Sequence, residues 1–344
     1  MKNSALSGIF MKKDIEKLIY FLPIPVFLIT LCIGSYHIPI AKVIDLMLYK
    51  ISGYTFFHSV IDTNSLNVLL EIRLPRVILS MLVGASLSVS GTSFQAVLKN
   101  PIVEPYTLGL SSGAAFGAAL ALSFLNIPVQ ISAFIFAIMG VAICYMAAMK
   151  DGDTSVVSLV LSGVVISALF TALLSILQIM IDPLKLQGLV YWIMGSLHTS
   201  SWEKVASVLP YMVIGFLLTY VFRWKLNILA LGGRDSVILG VNPKKYKMLY
   251  ILAATLLAAA AVSVSGIISL VGLMIPHVLR ILFGPDNRKL IPLSFCLGAS
   301  YLAIVDCFSR NLFSFEIPIG IFTTILGAPY FIVLIRRSKA GVWQ

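Results

Sequence analysis

Residues 73–117 read RLPRVILSMLVGASLSVSGTSFQAVLKNPIVEPYTLGLSSGAAFG. Three unlike pieces meet in this stretch. Arg73 and Arg76 open it, and an uncharged run of 22 residues, Val77 to Leu98, follows. Lys99-Asn100-Pro101 then breaks the run, and a glycine series begins. About 20 apolar residues in a helix cross the hydrocarbon core of a bilayer. A simple anchor needs only the middle piece, whereas the wall of a transport protein uses all three.

The rest of the chain agrees. Of 344 residues 59% are hydrophobic and 11% charged, against roughly 25% charged in soluble domains. Such a chain has too little polar surface to cover itself in water, and it reads as an all-α polytopic membrane protein. The net charge of +11 does not point to nucleic acid, because the basic residues form short clusters between apolar runs. That is the pattern of membrane loops. Cys32, Cys144, Cys296 and Cys307 lie in or beside apolar runs with no CxxC or Cys/His cluster, so they read as small apolar fillers with no disulfide and no metal. The basic start, Met11 to Lys17, precedes a run too long for a signal peptide and reads as an uncleaved first span.

Ten spans are predicted: Leu18–His37, Val77–Leu98, Leu108–Leu125, Val129–Met149, Val156–Ile181, Val205–Phe222, Met248–Ser265, Ile267–Phe283, Leu290–Asp306 and Ile317–Ile335. Asn126-Ile127-Pro128 and Ser265-Gly266 are the expected turns inside two longer apolar runs, and Leu186–Trp202 reads as a short interfacial or re-entrant piece. Ten crossings place both termini on one side. Of the 25 Lys and Arg, 18 fall in loops or in a last span turn on that side and 7 on the other, which makes it cytoplasmic by the positive-inside rule. The chain then forms a single transmembrane domain, residues 1–344, with a cytoplasmic segment at about 223–247. Residues 38–72 are external, and Pro39 to Lys50 is amphipathic enough to lie along the membrane surface.

Gly109, Gly113 and Gly117 recur every four residues, as in closely packed membrane helices. SVSG occurs at Ser88–Gly91 and again at Ser263–Gly266, each glycine followed ten residues later by a proline, a weak echo of two transporter halves. There is no Gly-Lys-Ser/Thr phosphate cradle, so any ATP is bound by another chain. The spans are nearly free of ionisable groups, which disfavours a proton- or ion-coupled carrier and a membrane-embedded enzyme.

Three segments carry functional expectations. The break from Lys99 to Pro105 is a plain turn or a constriction. The segment Arg223 to Lys247 is too apolar for a free basic loop and reads as a protein-contact surface. Arg73, Arg76 and Arg310 stand at external span edges, either as snorkelling anchors or as a patch for carboxylates of a soluble partner; Asp306 and Glu316 are close enough in sequence to Arg310 to neutralise part of it. His277, after Pro276, reads as a packed histidine.

Taken together, these motifs resemble the FecCD-type permease subunits of iron-siderophore, haem and cobalamin ABC importers, with the vitamin B12 permease type nearest in pattern. The residues that carry the resemblance run in order: Arg73-Leu74-Pro75-Arg76, Gly84-Ala85, Ser90-Gly91, Gln95, Asn100-Pro101, Glu104-Pro105, Leu108-Gly109, Gly113-Ala114, Gly272-Leu273, Ile275-Pro276-His277, Arg280, Asp306, Arg310, Glu316-Ile317-Pro318-Ile319-Gly320 and Gly327-Ala328-Pro329. The resemblance implies a multi-pass subunit of the cytoplasmic (inner) membrane, paired as a homodimer around a path on its twofold axis. It implies two ATP-binding cassette subunits that hold ATP and Mg, an external or periplasmic substrate-binding protein, and no cofactor or catalytic residue in this chain. By motif match, Arg73, Arg76 and Arg310 meet the binding protein. Asn100, Pro101 and Ile102 form a cytoplasmic gate, with Thr154 and Ser155 as a second part. Leu231, Gly232, Gly233, Arg234, Asp235, Leu239, Gly240 and Val241 couple to the ATPase. Ile102-Val103 stands where the family more often has Leu-Ala. The implied cargo is a metal chelate, ferric siderophore first, then haem, cobalamin and molybdate or tungstate. A secondary transporter or channel without an ATPase is the alternative.

Overall fold

The computed structural model describes residues 2–34, 36, 38–57, 61–125, 127–150 and 153–337. These form helices α1 (Lys2–Phe21), α2 (Pro23–Cys32), α3 (Ile40–Ser52), α4 (Thr63–Asn67), α5 (Leu74–Val97), α6 (Leu110–Ser123), α7 (Val129–Ala148), α8 (Val156–Met180), α9 (Pro183–Ile193), α10 (Trp202–Leu231), α11 (Gly233–Ile238), α12 (Pro243–Ser265), α13 (Val271–Phe283), α14 (Asn287–Asn311) and α15 (Ile319–Arg337). A π turn at Val68–Arg73 fuses α4 to α5 into one run of 35 residues, Thr63–Val97. The two-residue strands β1 (Met149–Lys150) and β2 (Asp153–Thr154) pair antiparallel between α7 and α8.

Among the described residues six helices are long and apolar enough to cross a membrane, or seven if α1 and α2, bent by 44° at Pro23, count as one broken span. Shorter apolar helices, α6, α13 and residues 319–333 of α15, stand where the other three spans were expected. Irregular backbone takes up the missing length. Lys99 to Gly109 precedes α6, and Gly266 to Leu270 precedes α13, with Gly266 and Leu270 both at positive φ. The expected turn at Ser265-Gly266 is present, and α7 begins at Val129 as Pro128 requires. His37 and Asn126, which bound two expected segments, lie outside the described residues.

The stretch from Val77 to Leu98 is not a wall. From Val83 to Val97 every residue of α5 is buried, and α5 packs against α10, α12, α13 and α14. Its small residues make this possible. A Cβ on Gly91 would collide with the Gly272 carbonyl, and one on Gly84 with the Gly298 carbonyl. Two hydroxyls of this stretch bond across helices: Ser90 donates to Ala254 O at 2.7 Å, and Thr92 pairs with Ser294 at 2.8 Å. The most hydrophobic helices lie outside this hub. The apolar window of α8 is 22% buried, against 83% for the run ending in α5.

Two repeats resolve differently. The SVSG at Ser88–Gly91 continues a helix, while Ser263–Gly266 ends one. In the glycine series, Gly113 and Gly117 press α6 onto Phe136 and Ser132 of α7, but Gly109 is a left-handed residue before α6 rather than a rung on it. Outside the bundle, α3 is amphipathic as expected. Val43 and Leu46 pack on Leu31, Ile38, Leu69 and Val77, and Lys42 pairs with Asp62.

Candidate functional site

The three arginines expected on the external side point inward. Arg73, at the end of the π turn, donates to Leu31 O at 2.9 Å, to Cys32 O at 3.2 Å and to Tyr36 O. Arg310 of α14 donates to Thr30 O at 2.6 Å. Both cations thus cover the last carbonyls of α2, which have no partner within the helix and carry its negative dipole end. Arg76 grips two carboxylates. Its Nε and Nη2 reach Asp306 at 3.0 and 2.9 Å, and Nη1 and Nη2 reach Glu316 at 3.0 and 3.1 Å. Arg73 is 4% exposed, Arg76 7% and Asp306 1%. Glu316 extends the cluster to α9: its carboxylate lies 3.2 Å from His198 Nδ1, and its carbonyl accepts from Tyr191. Burial opposes the charged form of Glu316, but Arg76 outweighs it and holds the carboxyl below the usual carboxylate range.

The residues expected to dock a binding protein are thus engaged within their own chain. A partner's carboxylate would meet Arg76 and Arg73 already bonded within the chain and Arg310 with its Nε 3.9 Å from Asp306, with Asp306 and Glu316 beside them to repel it. The sequence contained the needed hint, because Asp306 and Glu316 flank Arg310. It contained no hint that Arg76, 230 residues away, would be the cation they share.

At the opposite end of α5, Lys99 takes φ 50 and reverses the chain. Asn100 stabilises the reversal: its side chain accepts from Ile102 N at 3.0 Å and its own N–H reaches Gln95 O at 3.1 Å. Pro101 and Ile102 form the tip, with Ile102 exposed. The chain then runs back into the protein. Val103 is buried, Glu104 accepts from Leu270 N, and Tyr106 donates to Ile268 O at 2.9 Å. Lys99 to Leu108 is therefore a re-entrant piece clamped to the unwound segment before α13.

Ser155 is the N-cap of α8, accepting from Ser158 N at 3.0 Å. Thr154 is buried and accepts, through its carbonyl, the Lys247 ammonium of α12. A cleft of about 180 Å³ separates these pieces, with Lys99 and Val156 on one side and Gly232, Ser236 and Lys247 on the other. The expected gate residues flank this cleft; their neighbours line it. Lys247 is a residue the sequence reading missed, and nothing local distinguishes it from Lys244 and Lys245.

The segment 223–247 is not a loop. Helix α10 continues to Leu231, with the Arg223 guanidinium 3.9 Å from the Tyr220 ring centroid and the Lys225 ammonium 3.9 Å from that of Tyr246. Charges that ended the predicted span are absorbed as cation–π pairs along the helix. Gly232 breaks the helix and α11 follows. Buried Ser236 ties α11 down by donating to Ile228 O at 2.9 Å, and Val241 N returns to Ser236 O at 2.9 Å. Val241 is 1% exposed and plugs the core, so it is not part of a contact surface. Leu231, Val237, Ile238 and Leu239 are instead 53–81% exposed, forming an apolar knuckle on a rigid base, with Arg234 and Asp235 exposed beside it. Val237 and Ile238 belong to this surface although the motif match passed over them.

The model of the FecCD transport family matches residues 22–337. The chain belongs to this family. A probable iron chelatin transport system permease protein of Helicobacter pylori J99 is 41% identical over 279 residues, 81% of this chain and 85% of that protein. The molybdate import system permease protein MolB of Haemophilus influenzae is 35% identical, covering 91% of this chain and 92% of MolB. Among solved structures, an inward-facing metal-chelate type ABC transporter aligns with a TM-score of 0.83 at 33% identity, over 95% of this chain and all of that one. The FecCD chain described here is accordingly an ABC transporter permease and a multi-pass membrane protein. Its family works with ATPase and substrate-binding partners. Among its described residues no group of three or more His, Cys, Asp or Glu is placed to hold a metal ion. His277 packs with its ring centroid 6.2 Å from that of Phe331.

Proposed function

We propose that this permease is the membrane half of a metal-chelate importer, with ferric siderophore as first cargo and haem, cobalamin and molybdate or tungstate next. Relatives named for iron chelatin, molybdate and cobalamin import support that cargo class. The chain makes ten crossings of the inner membrane with both ends cytoplasmic, pairs with a second copy, and carries no catalytic residue. Two ATP-binding cassette subunits hold ATP and Mg, and an external binding protein delivers cargo. The path runs between the two copies along α8, whose exposed face combines Leu161, Val164 and Leu169 with the small residues Ala168, Thr171, Ala172 and Ser175. Thr171 and Ser175 already donate to their own helix, at 2.7 and 2.9 Å. Such a wall passes cargo without holding it, which leaves selectivity to the binding protein.

The knuckle carries this reading. An apolar surface held rigid beyond the end of a 30-residue helix fits a cleft in a soluble partner, and its motion reaches the gate through Lys247 and Thr154. Arg73, Arg76 and Arg310 serve binding-protein docking indirectly, by fixing α2, α14 and the Glu316 loop as a platform. Co-purification of an ATP-hydrolysing subunit, abolished by Ile238→Asp, is the expected result. Retention of that subunit by the variant would reject the knuckle as its seat. Cargo is read by mass spectrometry of the ligand on the purified binding protein; a ligand other than a metal chelate or oxyanion would overturn the cargo class.

A further inference from the structure

One cleft belongs neither to the knuckle nor to the arginine cluster. It has a volume of about 550 Å³ and lies between the start of α7 and the start of α10, with Ser263 of α12 behind it. That volume is within the roughly 300–1,000 Å³ typical of small-molecule sites. Its depth in the membrane follows from α10. Thirty residues make a helix of about 45 Å, which equals the bilayer with its headgroup layers. With the knuckle at the far end of α10, the first turn of α10 stands at headgroup level in the opposite leaflet.

The cleft is chemically divided along that axis. Glu203 and Lys204, in the first turn, line its mouth with Gln130 of α7. Neither charge makes an ion pair among the described residues, and the Lys204 ammonium donates only to Thr199 Oγ1 there. One and two turns deeper the lining becomes Ile131, Phe134 and Tyr211, with the last two rings 4.8 Å apart. Ile131 and Tyr211 are exposed on the outer surfaces of their helices, so the cleft opens sideways between α7 and α10. An occupant must carry a negative and a positive group at one end and a hydrocarbon chain at the other.

We infer that this cleft is a binding site for one zwitterionic phospholipid of the leaflet opposite the knuckle. The headgroup phosphate lies on Lys204 and Gln130, its ammonium faces Glu203, and an acyl chain follows Ile131, Phe134 and Tyr211. The site is independent of the cargo and of the ATPase seat. Its occupancy would wedge α7 against α10, the two helices that flank α12 at this level.

The test is native mass spectrometry of the delipidated full-length protein, titrated with dihexanoylphosphatidylethanolamine. One saturable equivalent per chain is expected. Lys204→Gln should raise the apparent Kd about tenfold, and Ser207→Trp, which fills the cleft, should abolish the saturable step. Glu203→Gln should weaken phosphatidylethanolamine while leaving phosphatidylglycerol unchanged. A size-exclusion profile matching wild type shows that each variant is folded, and Ser207→Ala serves as the conservative partner should the tryptophan variant misfold. Non-saturable uptake, or equal affinity in wild type and Lys204→Gln, would overturn the proposal. Competition by millimolar inorganic phosphate would overturn it too, by reducing the site to a free-anion site.

Discussion

The two ends of this permease invert the usual arrangement of charge and grease. At one end three arginines and two carboxylates are packed inside. At the other, four large apolar side chains stand in the open on α11 and its flanks. The difference lies in what each group can find within its own chain. Arg76 finds Asp306 and Glu316, and Arg73 and Arg310 find the orphan carbonyls of α2. Ile238 finds nothing, because Ser236 pins α11 in an orientation that turns it outward. The first end is therefore built for rigidity, and the second leaves apolar surface in the open, the surface proposed as the ATPase seat.

The strongest way to break this contrast is at Arg76. Arg76→Ala leaves buried Asp306 with only the longer contact to Arg310 Nε at 3.9 Å and should cost about 3 kcal/mol, read as a lowered melting temperature in detergent. Arg76→Met with Asp306→Leu should recover most of that loss, because a well-packed apolar pair avoids the desolvation of two ions. If Arg76→Ala melts like wild type, the cluster is not structural and the docking role returns. Charge reversal at Arg76 cannot separate the two roles, since it damages the platform as well as the charge.

The knuckle should behave oppositely. Ile238→Asp should change stability by less than about 0.5 kcal/mol, as for other surface positions, yet weaken ATPase binding by at least about 2 kcal/mol, roughly 30-fold. A variant that unfolds would place Ile238 in the core and end the contrast from the other side.

A smaller effect is expected at Lys247, which links the knuckle's base to the proposed gate. Lys247→Met removes one hydrogen bond to Thr154 O, worth about 1 kcal/mol or a factor of roughly five. Transport per ATP hydrolysed should fall by about that factor, with ATPase binding unchanged and partial rescue in Lys247→Arg. Unaltered coupling would remove Lys247 from the path.

The smallest effect is on acid stability. The Glu316 carboxyl is depressed in the folded protein, so its contribution is fully present above the unfolded value of about 4.3 and is lost as pH falls through the lower folded value. Glu316→Gln should flatten the melting-temperature profile below about pH 4 and leave the knuckle's partner binding untouched. Identical profiles would show that Glu316 is not held by Arg76.

Much of this was legible before any tertiary contact was known. Pro128, Ser265-Gly266 and Lys99-Asn100-Pro101 marked chain breaks, because proline and glycine act on the local backbone whatever surrounds it. The amphipathic α3 and the excess apolar character of 223–247 were legible for the same reason. The helical continuation from Arg223 to Leu231 was not. A window that scores charge as a span end cannot see Tyr220 and Tyr246 waiting for Arg223 and Lys225. Val237 and Val241 show the limit most plainly: two valines four residues apart, one in the open and one plugging the core.

The sequence by itself determined that this chain lives in a membrane, where its helices break, and which family it resembles. All three follow from hydropathy and residue order, which are properties of short windows. Only the tertiary structure decided that α5 is a hub rather than a wall, that the arginines face inward, and that Ile238 stands exposed while Val241 is buried. Those outcomes depend on which groups meet across more than a hundred residues of chain, where pairing and burial are settled by packing.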